Sequence, residues 1–216
     1  MIREADISSE PFDRAYEFVR GDLAAGRRPA GSQIRVDETA RLLGISPTPV
    51  REALAKLAGE RLVRRSRRHG YFVPQLDAGE LVELYSLAEM HLLAAVAAQL
   101  SYSPLAPPDP AQDGPKTGAG IARLFIHVLA GAKNGALLDA GTLIVERLVS
   151  GRLVEDPTVA REEEKQIAAL LREQSFDALA EALTAYHASR RSAALRIAQA
   201  IKQRSQPQDK YFPDMA

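Results

Sequence analysis

The stretch "ISPTPVREALAKLAGERLVRRSRRHGYFV", Ile45 to Val73, decides the fold. Two prolines head a segment whose Val50, Ala53, Leu54 and Leu57 follow the i, i+3, i+4, i+7 spacing of a helix with one inward face. Proline breaks helix interiors but is tolerated in the first turn, where backbone N–H groups have no intrahelical partner. The spacing predicts a helix capped by Ser46, with Pro47 at N1 and Pro49 at N3. Thr48, Arg51, Glu52, Ala55 and Lys56 are left on its outward face. Arg61, Arg64, Arg65, Arg67 and Arg68 follow with His69, a concentration of positive charge that an external anion would offset. "LVRRS" and "GYFVP" read as two short strands joined by a tight turn at Arg68-His69-Gly70.

Working outward, Phe12, Ala15, Tyr16, Val19 and Leu23 place a first helix over Ser9–Ala25, stopped by Gly26. Asp37 is expected to cap a short helix through Leu43, closed by Gly44. Downstream, Asp77 with Glu80 forms a capping box opening a helix to about Ser101. Residues 102–119 hold five prolines and read as an exposed loop. Helical patterns resume at 120–132 and 135–152, then behind Asp156-Pro157 to Glu173, then from Ser175 to Lys202. The expected architecture is mostly α. A winged helix-turn-helix over residues 1–75 precedes an all-helical bundle of about five helices over 76–203, and 204–216 form a disordered tail.

Composition fits a soluble globular protein: of 216 residues, 46% are hydrophobic and 26% charged. Zero cysteines exclude a disulfide framework and thiolate chemistry. No signal peptide core is visible and no apolar run reads as a bilayer span, so a cytoplasmic protein is expected. The formal net charge of zero conceals a division, because residues 1–75 carry 14 basic and 10 acidic side chains and the rest carry 14 and 18. Taken alone, such a basic segment is either a polyanion-binding module or a solvated charged face; joined to a winged helix-turn-helix pattern it points to double-stranded DNA. The first residues of the second helix of such a module face base edges in the major groove, while the wing lies on the backbone. Candidate DNA-binding residues are therefore Arg35, Ser46, Thr48, Arg51, Lys56, Arg64, Arg65, Arg67, Arg68, His69 and Gly70.

"LLGISPTPVREALAKLAGERLV" followed by "RRHGYFV" resembles the DNA-binding domain of the GntR family of bacterial transcription regulators. In two places the chain departs from the family pattern. Pro47 stands where relatives often have a DNA-contacting arginine, and Val36 where they commonly have glutamate. "ELYSLAEMHLLAAVAAQL", "HVLAGAKNGALL" and the closing "EEEKQIAALLREQSFDALAEALTAYHASRR" are similar to the FCD branch, whose helical domain forms dimers and holds an effector. Many FCD domains bind a divalent metal through one aspartate and three histidines. The corresponding positions here are Ile121, Phe125, Glu164 and Tyr186, with His187 one residue off, so no metal or other cofactor is expected. A shifted site from His127, His187 and Glu164 is the counter-reading.

The resemblance implies a homodimer on a short pseudo-palindromic operator, most simply a repressor, controlled by a small organic acid. Candidate ligand residues are Tyr85, Phe125 and Tyr186 as walls, Arg123 and His127 as polar partners, and Glu164 and His187. The alternative is a helical domain that only dimerises or binds a protein partner. No phosphate loop, nucleophile elbow or carboxylate pair indicates an enzyme.

Overall fold

The computed structural model describes residues 10–66, 69–99 and 119–205. The loop over 102–118, the last eleven residues of the tail, Ser9, Arg67 and Arg68 fall outside them. The N-terminal part comprises α1 (Pro11–Ala24), β1 (Gln33–Ile34), α2 (Val36–Leu43), α3 (Pro47–Gly59), β2 (Arg64–Ser66) and β3 (Gly70–Phe72). The C-terminal part comprises α4 (Ala78–Gln99), α5 (Ala119–Gly131), α6 (Gly135–Arg147), α7 (Val149–Arg152), α8 (Pro157–Glu173), α9 (Phe176–Ser192) and α10 (Ala194–Ser205). A winged helix-turn-helix thus precedes a helical domain, the fold class the sequence indicated.

α1, α2 and α3 pack together around Ala15, Val19, Val50, Ala53, Leu54 and Leu57, all fully buried. Gly44 closes α2 at φ 64°, a left-handed conformation that lets the chain turn directly into α3. The wing is a three-stranded antiparallel sheet in the order β1-β3-β2, pairing Ile34 with Tyr71 and Arg65 with Tyr71 across the two ladders. Periodicity indicated only β2 and β3, since a two-residue strand has no alternation to read.

Capping follows sequence expectation at two helices and departs from it at three. Asp77 and Glu80 exchange backbone–side-chain hydrogen bonds of 3.0 and 2.8 Å, a complete capping box. Asp156 accepts from the Thr158 and Val159 N–H groups. Ser46 holds the N-cap position of α3, but its side chain makes no capping bond. The N3 residue is Pro49, which has no N–H to offer. Asp37 lies inside the first turn of α2 rather than before it, and Ser175 caps α9 through its backbone alone.

Two helices expected to be continuous are broken. Between α6 and α7 the Val145 carbonyl accepts from the Arg152 guanidinium, a side chain inserted into the helical ladder. Between α9 and α10 the Ser189 hydroxyl donates to the Tyr186 carbonyl at 2.9 Å, the back-bonding that bends helices, and the chain turns at Ala193. The final helix also continues through Arg204 and Ser205, positions assigned to the tail on sequence.

The helical domain buries two clusters. One spans α4, α5, α8 and α9 around Leu92, Phe125, Val128, Leu129, Leu179 and Leu183. The other joins α4 to α10 around Leu81, Tyr85, Ile197 and Ile201. In length and composition α4 does suffice to cross a bilayer, contrary to expectation. Its Leu81, Leu84, Ala88, Leu92 and Ala95 are buried in the domain core, and Glu89 on it pairs with Arg191, so it serves as a central core helix.

The winged module is docked on the helical domain by specific contacts. Arg20 Nε of α1 donates to both carboxylate oxygens of Glu146 of α6 at 3.1 Å, and its terminal nitrogen lies 3.0 Å from the same carboxylate. Arg64 reaches Glu80 at 3.0 Å. Gly26, at φ 61°, admits the Leu153 side chain so closely that a β-carbon there would overlap it.

Candidate nucleic-acid interface

α3 presents its outward face as its spacing requires. Ser46, Thr48, Arg51, Glu52 and Lys56 are exposed, while Val50, Ala53, Leu54 and Leu57 anchor the opposite face. A polar cleft runs between this helix, the start of α2 and the wing, and Arg35, Arg41, Arg51 and Arg65 all line it. Asp37 and Glu38 share the rim, so the cleft is cationic but not uniformly so.

Secondary structure explains the convergence. Arg35 occupies the N-cap position of α2 and Arg41 lies in its last turn. Arg51 is one turn into α3, and Arg65 sits opposite Tyr71 in the wing, its guanidinium 5.9 Å from that ring's centroid. Gln33 of β1 ties down the wing tip by donating to the His69 carbonyl at 2.8 Å. His69 itself is exposed, and Gly70 turns at φ 89°.

The other candidates divide. Thr48 and Ser46 are free at the head of α3. Arg64 is engaged with Glu80 of α4 and faces the domain junction. Lys56 does not line the cleft: its ammonium stands 4.3 Å from the Tyr16 ring centroid and 5.7 Å from that of Phe12, across the α1 surface. Arg67 and Arg68 belong to the residues outside the description. Arg41 and Gln33 were missed on sequence. Arg41 carried the signal of a second basic side chain one and a half turns beyond Arg35, whereas Gln33 depends on β1, which nothing local announces.

In the helical domain the ligand candidates separate into two groups. Tyr85, Phe125, Tyr186 and His187 converge in the core, with ring centroids 5.0 Å apart for Tyr186–His187, 5.1 Å for Phe125–Tyr186 and 5.5 Å for Phe125–His187. The Tyr85 and Tyr186 hydroxyls and His187 Nε2 are buried with no hydrogen-bond partner among the described residues. Burial raises the pKa of both phenols well above the ordinary value, and the nearby Glu155 carboxylate pushes the same way. His187 is driven down to about 4 by burial, although its Nδ1 faces the Leu183 carbonyl at 2.7 Å.

Arg190 closes one side of this cluster. Its guanidinium lies 3.7 Å from the Tyr186 ring centroid and pairs with Glu155 and Glu163. Burial works against its charge, yet the hydrogen bonds to Glu163 and Glu155 prevail and raise its pKa.

Arg123 and His127 do not join the cluster. Each stands two residues from Phe125, roughly 200° around the helix, so they lie together on the opposite face of α5. Burial lowers the His127 pKa. Glu164 packs instead on the Gly120 backbone at the start of α5. Among the described residues no three histidine or carboxylate side chains gather to hold a metal, so the structure does not assemble the shifted His127–His187–Glu164 site.

Comparison with known proteins agrees with the N-terminal geometry. Residues 11–73 match the family of bacterial regulatory proteins, gntR family. An uncharacterized HTH-type transcriptional regulator from the TAR-I ttuE-ttuC' intergenic region of Agrobacterium vitis is 34% identical over 87 residues, 40% of this chain and 50% of that one. A protein named "Probable D-xylose utilization operon transcriptional repressor" from Paenarthrobacter nicotinovorans is 42% identical over 67 residues, 31% of this chain and 30% of that one. The chain thus spans half or less of the length of these curated relatives.

Solved structures extend the likeness of fold to the helical domain. E. coli McbR/YncC superposes with a TM-score of 0.69 at 19% identity, covering 87% of this chain and 98% of that one. A structure described as a GntR transcriptional regulator from Rhodococcus sp. RHA1 gives 0.69 at 16% identity, covering 87% and 99%. The cationic cleft and the wing both lie within residues 11–73, the stretch that matches the gntR family of bacterial regulatory proteins.

Proposed function

We propose that this chain is a homodimeric transcription regulator of the FCD branch, acting as a repressor in the bacterial cytoplasm. The observation that carries the reading is the convergence of Arg35, Arg41, Arg51 and Arg65 on one cleft beside the exposed head of α3. Thr48 and Arg51 enter the major groove, and Arg51 pairs bidentately with a guanine or clamps a phosphate. Arg35, Arg41 and Arg65 neutralise backbone phosphates. Pro47 stiffens the first turn and contributes no donor, so base preference rests on fewer contacts than an arginine there would give.

Two copies are needed to read a pseudo-palindrome. The outward face of α4 suits the pairing, because Val82, Leu87 and Met90 are exposed large apolar side chains on consecutive turns of one helix. We place the effector at the cluster of Tyr85, Tyr186 and His187, because their buried polar atoms, without partners among the described residues, would hydrogen-bond a small organic acid in its neutral or anionic form. A second reading takes the helical domain as a dimerisation or partner-binding scaffold without a small ligand, and it rests on the same exposed α4 face.

The test is selection of genomic DNA fragments by the purified protein. An enriched short palindrome supports the regulator and fixes the half-site spacing. Salt-sensitive retention of all fragments alike, with no enriched sequence, refutes sequence-specific regulation. A thermal-shift screen of organic acids then separates effector binding from scaffold, because a ligand raises Tm by mass action.

A further inference from the structure

A cavity of about 70 Å³ lies where the winged module meets the helical domain, at the ends of α1, α3 and β3 and beside α6, α7 and α10. Its apolar wall is formed by Leu62, Val73, Leu76, Leu153 and Ile201. The charged lining is mostly cationic: Arg28, Arg61, Arg147 and Arg204 against Glu146 alone. Most of these charges are already engaged. Glu146 is held by Arg20, Arg28 pairs with Asp22 at 3.0 Å, and Arg204 donates to the Leu153 carbonyl at 2.7 Å.

Arg61 and Arg147 remain, and neither has an ion-pair partner among the described residues. Both line the same cavity, Arg61 exposed and Arg147 half-buried; the Arg147 pKa is lowered first by burial and then by the charge of Arg61, while Glu80 and Glu83 push the other way. Two like charges on one cavity lining repel, and a single anion between them would offset that repulsion.

We propose that this interdomain cavity binds a small amphipathic carboxylate, its head bridging Arg61 and Arg147 and its apolar body against Leu62, Leu76 and Leu153. The site differs from the aromatic cluster of the helical core in position and in chemistry. Its location gives it a consequence for the reader. Arg61 stands two residues beyond the end of α3, at φ 59°, and Arg147 is the last residue of α6. A bound carboxylate therefore links the C-terminal end of the recognition helix directly to the helical domain. An anion that prefers the docked arrangement shifts the population toward it by its differential affinity.

The test is calorimetric titration of the full chain with butyrate and with its uncharged counterpart, butan-1-ol. The acid should bind saturably and the alcohol at least about tenfold more weakly, since a charge-assisted pair is lost. Arg61→Asn, which tolerates the left-handed backbone, and Arg147→Gln should each weaken the acid by about tenfold. Melting curves without ligand establish that both variants are folded, and Arg147→Lys, which keeps the charge, should bind the acid more tightly than Arg147→Gln. Equal binding of acid and alcohol, absence of acid binding, or unchanged affinity in the variants would overturn the site. No DNA enters the titration, so failure of the regulator reading and failure of this site are distinguishable.

Discussion

Glu146 and Arg20 grip each other across the domain junction through two 3.1 Å hydrogen bonds, and the carboxylate is the more buried partner. Burial raises the Glu146 pKa more than Arg20 lowers it, and the carboxylates of Glu60 and Glu17 add to the rise. The two truncations should therefore differ. Arg20→Ala leaves a desolvated carboxylate unpaired and should cost about 2–3 kcal/mol, whereas Glu146→Gln leaves an arginine able to turn to water and should cost about 1 kcal/mol. Urea unfolding of both variants decides, and equal costs would mean that the pair behaves as a surface bridge.

Contacts with DNA should separate by the cleft. Arg51→Ala should weaken binding to a selected operator by about 1–3 kcal/mol and relax its base preference. Arg65→Ala should weaken all sequences alike and reduce the salt slope by about one unit. Lys56→Ala should leave DNA affinity unchanged and cost about 0.5–1 kcal/mol of stability, through loss of its contact with Tyr16 and Phe12. Fluorescence anisotropy across a salt series distinguishes the three, and a large DNA defect in the Lys56 variant would contradict the placement of the cleft.

His187 should make the fold acid-sensitive. Its pKa is about 4 in the folded chain, against roughly 6.5 when unfolded. Above pH 6.5 it is neutral in both states and its contribution is complete. As pH falls from 6.5 toward 4, the unfolded chain takes up a proton that the folded chain refuses, so stability is lost, by up to about 3 kcal/mol. His187→Phe should flatten the pH dependence of urea unfolding in that window. An unchanged slope would show that other groups carry it.

Gly26 should be intolerant for two separable reasons. At φ 61° any side chain is strained, and a β-carbon would also meet Leu153. Gly26→Ala should destabilise by about 2–4 kcal/mol, of which roughly 1–2 is backbone strain and the rest overlap. Adding Leu153→Ala to Gly26→Ala should remove the overlap cost while leaving the strain, so coupling between the two changes should appear in a double-mutant cycle. Strict additivity would mean that the domains do not touch there.

Local patterns made much of this protein legible. The 3.6-residue spacing of Val50, Ala53, Leu54 and Leu57 placed α3 and its outward Arg51, because a helix face is set by neighbours a few residues apart. The Asp77–Glu80 box and the Asp156 cap were readable for the same reason. What required the tertiary structure was everything depending on residues distant in sequence. β1 exists only because β3 lies beside it, and Lys56 turns to α1 because Tyr16 is there. The breaks at Leu148 and Ala193 come from side chains that capture helix carbonyls, a competition that periodicity does not record. Tyr85, Phe125, Tyr186 and His187 come from three helices spread over more than a hundred residues, and only packing brings them together. That Arg61 and Arg147 line one cavity has the same origin: sequence specifies which charges a chain carries, and the docking of one domain on another decides which of them share a surface.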